Sequence, residues 1–366
     1  MRIVNLIWGF SLGAGIDKCY LTYADLASVD TDIIIKNVCI NVQSRNSHIE
    51  PLKKIGVTFI DIKSPLDFSW MWKLKECIDG FKADILFTHG FNGAIVSMME
   101  KYFKGMNAQV VLTYHGAYHA PTKAKKIIEP IYNRMSHFIY KHIAKVTICV
   151  AEYSRQYLIS KSVPEEKVVT VHNGIKDIDV NSTSPIQMSH DVVNIITASR
   201  IDKVKGLPFM MQAVAILKQR GLKFHYYMIG EGPELEAMKQ MCKDTKLDDV
   251  MSFEGFQSNV PSWLASADIF ALPSLYEYHS IAVLEAMRAG KCIVATNVGG
   301  NGESILNMEQ GILVPPSDPV ALADGLERMI KDEKLRNKLA RAARLRYENE
   351  FTEDAMKRGI VKVLKS

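Results

Sequence analysis

The sequence predicts an α/β protein built from two domains, each a parallel sheet covered by helices on both faces, and three observations carry that prediction. Short β-branched runs alternate with helical patterns from one end of the chain to the other, the signature of strand–helix–strand units. The alternation fails once, over 177–191 (DIDVNSTSPIQMSHD), where Ser, Asn, Thr and Pro gather and periodicity is lost. At 366 residues the chain is too long for one ordinary core and suits two domains of about 150 to 180 residues.

In the first half, strands are expected near 3–8, 32–39, 57–60, 85–88, 110–114, 146–150 and 168–171. The opening MRIVNLIWGF reads as the first of them and not as a leader, because no small-residue cleavage site follows its short apolar run. Residues 179–190 form the expected linker between domains 1–178 and 191–350. A second series then places strands near 193–198, 224–229, 251–253, 269–271, 292–295 and 312–314. After Pro316 come helices without strands, and the last, 351–366, has its own cap signal at Thr352. With no sheet left in its own domain, this helix is expected to cross back onto the first.

Apolar residues make up 48% and charged residues 23%, the balance of a water-soluble globular chain rather than a disordered one. No segment approaches the roughly 20 continuous apolar residues of a membrane span. Cys19, Cys39, Cys77, Cys149, Cys242 and Cys292 are scattered, lack metal-ligand spacing and sit mostly in apolar runs, so they read as reduced core thiols of a cytoplasmic protein. The net charge of +5 is modest and forms no dense stripe, which argues against a nucleic-acid partner. One basic stretch, 123–145, carries Lys123, Lys125, Lys126, Arg134, Lys141 and Lys145, with Glu129 its only acid. Two readings stay open there. Either Ile128, Ile131, Met135, Phe138 and His142 form a helix face packed on a sheet beneath a solvated basic side, or the basic face makes a peripheral contact with anionic lipid.

In open parallel sheets ligands bind beyond the carboxyl ends of strands, so the loops there are where chemistry is sought. The first, Gly9 to Gly15 (GFSLGAG), has glycines that let backbone N–H groups approach a phosphate or a sugar, although a tight turn accounts for them equally and the GxGxxG spacing is absent. The second offers His115 and Gly116 just after VVLTY. The third, SRIDKVKG, offers Arg200 and Lys205, two cations able to stabilise a departing diphosphate without a metal. The fourth, YEYHSIAVLEAMRAGK, places Glu277 in a loop and Glu285 in a helix starting near Ser280. One carboxylate would meet sugar hydroxyls and the other a ribose diol, while the free N–H groups of the helix start face the diphosphate. The fifth, NVGGNGE, brings Gly299, Gly300, Asn301 and Glu303 to the end of CIVAT.

Taken together, SRIDKVKG, MIGEGPE, FEGF, ADIFALPSLYE, the two glutamates eight apart, EAMRAGKCIVATNVGG and QGILVPPSDP make the second half resemble the retaining glycosyltransferases of family 4, which have the GT-B fold of two Rossmann-like domains facing across a cleft. In the first half the resemblance is limited to the glycine loop, DILFTHG, YHG, AEYSRQYL and VHNGI. It implies a metal-independent hexosyl transfer with retention, with no cofactor, from a UDP- or GDP-linked sugar to a glycan or lipid-linked acceptor in bacterial surface polysaccharide assembly. It assigns Arg200 and Lys205 to the diphosphate, Glu285 to the ribose, Glu277 to the donor sugar and Phe256 to the base. Gly13, Gly15 and His115 would close the site from the first domain, and His279, Ser280, Ile281, Gly300 and Asn301 would line it from the second. The catalytic residues implied are Glu277, His115, Arg200 and Lys205. Two departures stand out: Tyr278, His279 and Ser280 replace the usual Gly-aromatic-Gly stretch, and Gly13, Ala14, Gly15, Ile16, Asp17 and Lys18 replace paired glycines followed by Glu and a basic residue.

Other readings share the architecture. Asp30, Thr31 and Asp32 form an Asp-x-Asp triplet of the sort that binds manganese with a sugar nucleotide, but they precede a strand and suit a solvated turn. A nicotinamide oxidoreductase requires GxGxxG followed by an acid about 20 residues on, which neither half has. A sugar-nucleotide 2-epimerase, a glycoside phosphorylase and a non-catalytic sugar-nucleotide binder remain as alternatives.

Overall fold

The computed structural model describes residues 1–10, 15–42, 50–64, 67–103, 105–117, 129–179, 183–189 and 191–366. Its chain divides into two units, Met1–Gly174 with Glu353–Ser366, and Ile175–Thr352.

The first unit holds strands β1 (Arg2–Trp8), β2 (Ile34–Val42), β3 (Thr58–Ile62), β4 (Ile85–His89), β5 (Gln109–Tyr114), β6 (Val146–Cys149) and β7 (Val168–Thr170). All pair in parallel, in the order β3-β2-β1-β4-β5-β6-β7. The second holds β8 (Val193–Ala198), β9 (Phe224–Ile229), β10 (Met251–Gly255), β11 (Ile269–Leu272), β12 (Cys292–Thr296) and β13 (Gly311–Val314), again parallel, in the order β10-β9-β8-β11-β12-β13. The order in which strands are added reverses once in each sheet, between β1 and β4 in the first and between β8 and β11 in the second. Such switch points open a crevice at the strand ends. All thirteen expected strands are present, with no end moved by more than three residues.

Both faces of the second sheet are buried, as parallel sheets require. Ile195, Tyr226, Ala271 and Val294 point into one apolar cluster, and their sequence neighbours Ile196, Tyr227, Phe270 and Ile293 point into the other. That period-two split explains why these strands read as continuous apolar runs with no polar face.

The stretch without periodicity behaves differently from a free linker. The chain changes unit at Gly174/Ile175, earlier than the expected 179, and the described residues from Ile175 to Ser189 lie against the second unit. The Ile175 N–H donates to the Phe351 carbonyl at 3.1 Å and Tyr347 Oη donates to the Ile175 carbonyl at 2.9 Å. The Ile186 N–H donates to Ser266 Oγ at 2.9 Å and the Ser189 N–H to Tyr227 Oη at 2.8 Å, so side chains satisfy its backbone one group at a time. The terminal helix Glu353–Lys365 belongs to the first unit. Its buried Lys357 reaches Asp25 at 2.6 Å and Glu353 at 3.1 Å.

One helix corrects the face expected of it. Residues 121–128, including Lys123, Lys125, Lys126 and Ile128, lie outside the described residues, and the helix runs Glu129–His142. Its buried positions are Ser136, Ile139 and Tyr140, while Ile131 and Phe138 are 60% and 47% exposed. The packed face is therefore one position round from the stripe of Ile131, Met135, Phe138 and His142. Tyr140 decides this by lying edge-on against Tyr114 of β5, with ring centroids 5.5 Å apart.

The Asp-x-Asp triplet is a salt-bridged turn. Asp30 and Asp32 hold Lys365 at 2.5 and 3.4 Å, and Asp30 Oδ1 accepts from the Asp32 N–H at 3.0 Å. The Lys365 ammonium beside Asp30 holds its carboxyl below the ordinary range.

Candidate active site

In the second unit the loops after β8 and β11 meet at the switch point. After β8 the chain makes a single tight turn, Lys203–Lys205, capped by Asp202, whose Oδ1 accepts from the Val204 N–H at 3.1 Å. Gly206 comes next at φ +62°, where an added Cβ would overlap the Pro273 carbonyl oxygen, so only glycine lets the two loops approach this closely. The Leu275 N–H donates to the Val204 carbonyl at 2.7 Å and ties the loops together. Gly230, at the end of β9, lies equally close to the Ser199 carbonyl and supports the other side of the turn.

This backbone frame brings two expected site residues into contact. Lys205 Nζ donates to Glu277 Oε1 at 2.7 Å, with the two side chains 20% and 11% exposed. Ser274 Oγ donates to the same oxygen, also at 2.7 Å. Ser274 is itself fully buried, and its carbonyl accepts from Thr296 Oγ1 of β12 at 2.5 Å. The carboxylate is thus held by a hydroxyl and an ammonium on one oxygen.

Arg200 takes a different course. Its guanidinium stays exposed and pairs with Asp202, Nε lying 2.6 Å from Oδ2. Ser280 caps the helix Ile281–Arg288, accepting from the Val283 N–H at 3.4 Å, and Glu285 lies in this helix, partly buried. His279 is buried, with Nε2 3.1 Å from Ser304 Oγ and its ring beside Phe351 at 5.6 Å. The side chain at the aromatic position of the family pattern is therefore turned into the unit. Gly300 precedes the short helix Asn301–Ser304, and Asn301, fully buried, donates from Nδ2 to the Thr296 carbonyl at 3.0 Å. Phe256, just past β10, is 68% exposed and makes no hydrogen bond or ring contact among the described residues.

In the first unit, Gly13 lies outside the described residues and Gly15 opens the helix Gly15–Tyr23. His115 directly follows β5, with Nε2 2.9 Å from Thr113 Oγ1. Burial pushes this imidazole down to about 4 from its ordinary 6.5, so it is neutral. Behind it lies His89, buried at the end of β4, with Nδ1 2.9 Å from the same Thr113 oxygen and Nε2 2.6 Å from Asn5 Oδ1. Asn5 in turn donates from Nδ2 to Asn37 Oδ1 at 2.8 Å.

Sequence reasoning did not single out Asp202, Ser274, His89, Thr113, Asn5 or Asn37. The signal available for the last four was a polar residue inside an otherwise apolar strand: RIVNLIW, IIKNVCINV, ILFTH and QVVLTY.

Among the described residues no helix is long and apolar enough to cross a membrane, and no group of three or more His, Cys, Asp or Glu side chains is placed to hold a metal ion.

Two parallel, doubly wound units define the architecture of the two-domain glycosyltransferases with the GT-B fold. Residues 186–346 match the family described as Glycosyl transferases group 1, and residues 43–177 match that described as Glycosyltransferase Family 4. The chain belongs to glycosyltransferase family 4. It is 30% identical over 294 residues to the amylovoran biosynthesis glycosyltransferase AmsK of Erwinia amylovora, covering 78% of this chain and 70% of that protein. It is 24% identical over 295 residues to the putative colanic acid biosynthesis glycosyltransferase WcaL of Escherichia coli K12, covering 78% and 71%. In fold it is similar to Anabaena HepE in complex with UDP-glucose, with a TM-score of 0.82, 19% identity and coverage of 100% of this chain and 99% of that one.

Proposed function

We propose that this glycosyltransferase moves a hexose from a nucleoside-diphosphate donor to an acceptor hydroxyl, with retention of configuration and without a metal, in assembly of a bacterial surface polysaccharide or lipid-linked glycan. The observation that carries the reading is the Lys205–Glu277 pair at the switch point of the second unit. A cation presented there by a rigid turn meets the charge that grows on a departing diphosphate, while a carboxylate held on one oxygen keeps the other for sugar hydroxyls. Arg200, exposed on the same loop as Lys205, adds a second cation, and Glu285 takes the ribose.

Stabilising the leaving group is then the main catalytic task, and the acceptor attacks from the same face while the departing phosphate takes its proton. The names of AmsK and WcaL support polysaccharide assembly, and the UDP-glucose held by HepE supports a nucleotide-sugar donor. Lys365 between Asp30 and Asp32 supports the metal-independent reading, since both carboxylates already have a cation. The exposed stripe of Ile131 and Phe138 beside Arg134 and Lys141 supports a peripheral contact with anionic lipid.

The test is incubation with UDP- and GDP-linked hexoses in EDTA, following nucleotide release and the anomeric configuration of the product. Turnover with a retained anomer is expected. Activity that vanishes in EDTA and returns with manganese overturns the metal-independent part, an inverted product overturns retention, and donor binding without release or epimerisation points to a non-catalytic binder.

A further inference from the structure

Four adjacent strands of the first unit, β2, β1, β4 and β5, each contribute one buried polar side chain to an unbroken row. Asn37 and Asn5 are register partners across β2 and β1, and His89 and Thr113 are register partners across β4 and β5. In a sheet buried on both faces such a row is costly unless every member is satisfied, and here each is bonded to the next.

We propose that this row is a tautomer relay that holds His115 with its proton on Nε2, so that the ring meets substrate through the lone pair on Nδ1. Direction is set at the far end. The Ala24 carbonyl can only accept, and it takes its hydrogen bond from Asn37 Nδ2 at 3.1 Å. Asn37 must then turn Oδ1 toward Asn5, which donates from Nδ2 and is left with Oδ1 facing His89. His89 therefore carries its proton on Nε2 to make the 2.6 Å bond.

The ring of His89 is packed between Tyr23, stacked at 4.6 Å, and Phe87, edge-on at 4.5 Å, and this dry setting keeps it neutral, well below its ordinary titration range. A neutral imidazole protonated on Nε2 has a lone pair on Nδ1, so the Thr113 hydroxyl donates to it. With its one proton committed, Thr113 Oγ1 can only accept from His115, which fixes the His115 proton on Nε2. Nδ1 of His115 makes no hydrogen bond among the described residues.

A lone pair accepts a hydroxyl proton and repels a phosphate oxygen. On the donor reading proposed above, His115 is thus directed at a sugar or acceptor hydroxyl and contributes nothing to neutralising the diphosphate. Asn5, Asn37, His89 and Thr113 are positioning residues that act through it.

The protein labelled with ¹⁵N at histidine, with no ligand added, tests the relay directly through long-range ¹H–¹⁵N correlations at pH 7, the His115 signals being assigned by their loss in His115→Gln. Both His89 and His115 are expected to show protonated Nε2 and unprotonated Nδ1. Thr113→Val, which keeps the shape of the side chain, is expected to leave His89 unchanged and to let His115 divide between its two tautomers, and Thr113→Ser to restore the single form. A wild-type His115 protonated on Nδ1, or a His115 unaffected by Thr113→Val, overturns the relay. The spectra need no turnover, so the expected pattern in a protein inactive on every nucleotide sugar would defeat the donor reading and leave the relay standing.

Discussion

Lys205 and Glu277 come from loops 72 residues apart and meet at 2.7 Å, on a carboxylate oxygen that Ser274 also holds. Their contact depends on the loops after β8 and β11 being pinned to each other by backbone alone, through Leu275 N–H and the Val204 carbonyl. The chemistry proposed for this point should therefore be sensitive to both side chains and to the frame beneath them.

Replacing either partner separates their roles. Lys205→Ala is expected to weaken donor affinity by about 1.5 to 3 kcal/mol, the scale of a charge-assisted hydrogen bond. Glu277→Ala is expected to lower kcat/KM on the order of 100-fold or more while the thermal transition persists. Calorimetric titration with UDP alongside steady-state rates checks both, and an unchanged UDP dissociation constant for Lys205→Ala would count against its diphosphate role. The double variant should lose less than the sum of the two, because the residues touch.

The frame has its own test in Gly206→Ala. The added Cβ meets the Pro273 carbonyl at a positive φ, so the expected cost is about 1 to 3 kcal/mol of stability. Separation of the two loops should also weaken UDP binding even though no ligand-facing group is removed. Denaturant midpoints and UDP titration on the same preparation read the two effects, and a variant as stable as wild type would show that the loops are less closely held than Gly206 implies.

Acid should destabilise the protein through histidines that the folded state keeps neutral. His115 lies at about 4 because of burial, against 6.5 in an unfolded chain, so as pH falls from 6.5 to 4 the unfolded state binds a proton that the folded state refuses. Stability is then complete above about pH 6.5 and declines below it, at roughly 1.4 kcal/mol per pH unit for each such group. His89, also pushed down by burial, acts with the same sign. Urea midpoints between pH 7 and 5 should show His115→Gln flattening the decline by about one proton, and a parallel profile would remove His115 from the account.

The proposed contact with lipid is tested on the helix Glu129–His142. Cosedimentation with vesicles rich in anionic lipid is expected for the wild type, fading as salt rises above about 0.15 M. Phe138→Asp, at a position 47% exposed, should reduce binding severalfold without loss of stability. Equal binding to neutral vesicles, or none to either kind, would dispose of the membrane contact.

Much of this protein was legible along the chain. Alternating apolar runs and helical patterns located all thirteen strands, since a parallel strand buried on both faces needs several apolar residues in a row whatever its neighbours are. The strand-end rule then pointed to the loops of Lys205 and Glu277, because backbone N–H groups and switch-point crevices occur at those ends in any doubly wound sheet.

Other features waited for the fold. Periodicity marked an amphipathic helix within 123–145 but not which of two adjacent stripes is buried, a choice made by Tyr140 packing on Tyr114. The stretch 179–190 reads as a linker because it has no period, yet its described residues 183–189 are held on the second unit by side chains far away in sequence such as Tyr227 and Ser266. Asn5, Asn37, His89 and Thr113 are four unremarkable polar residues until strand order and register align them across one sheet. Local pattern determines which segments become strands and helices, since it expresses burial and backbone propensity. Which side chains share a hydrogen bond is decided by register between distant strands, and that exists only once the chain has closed on itself.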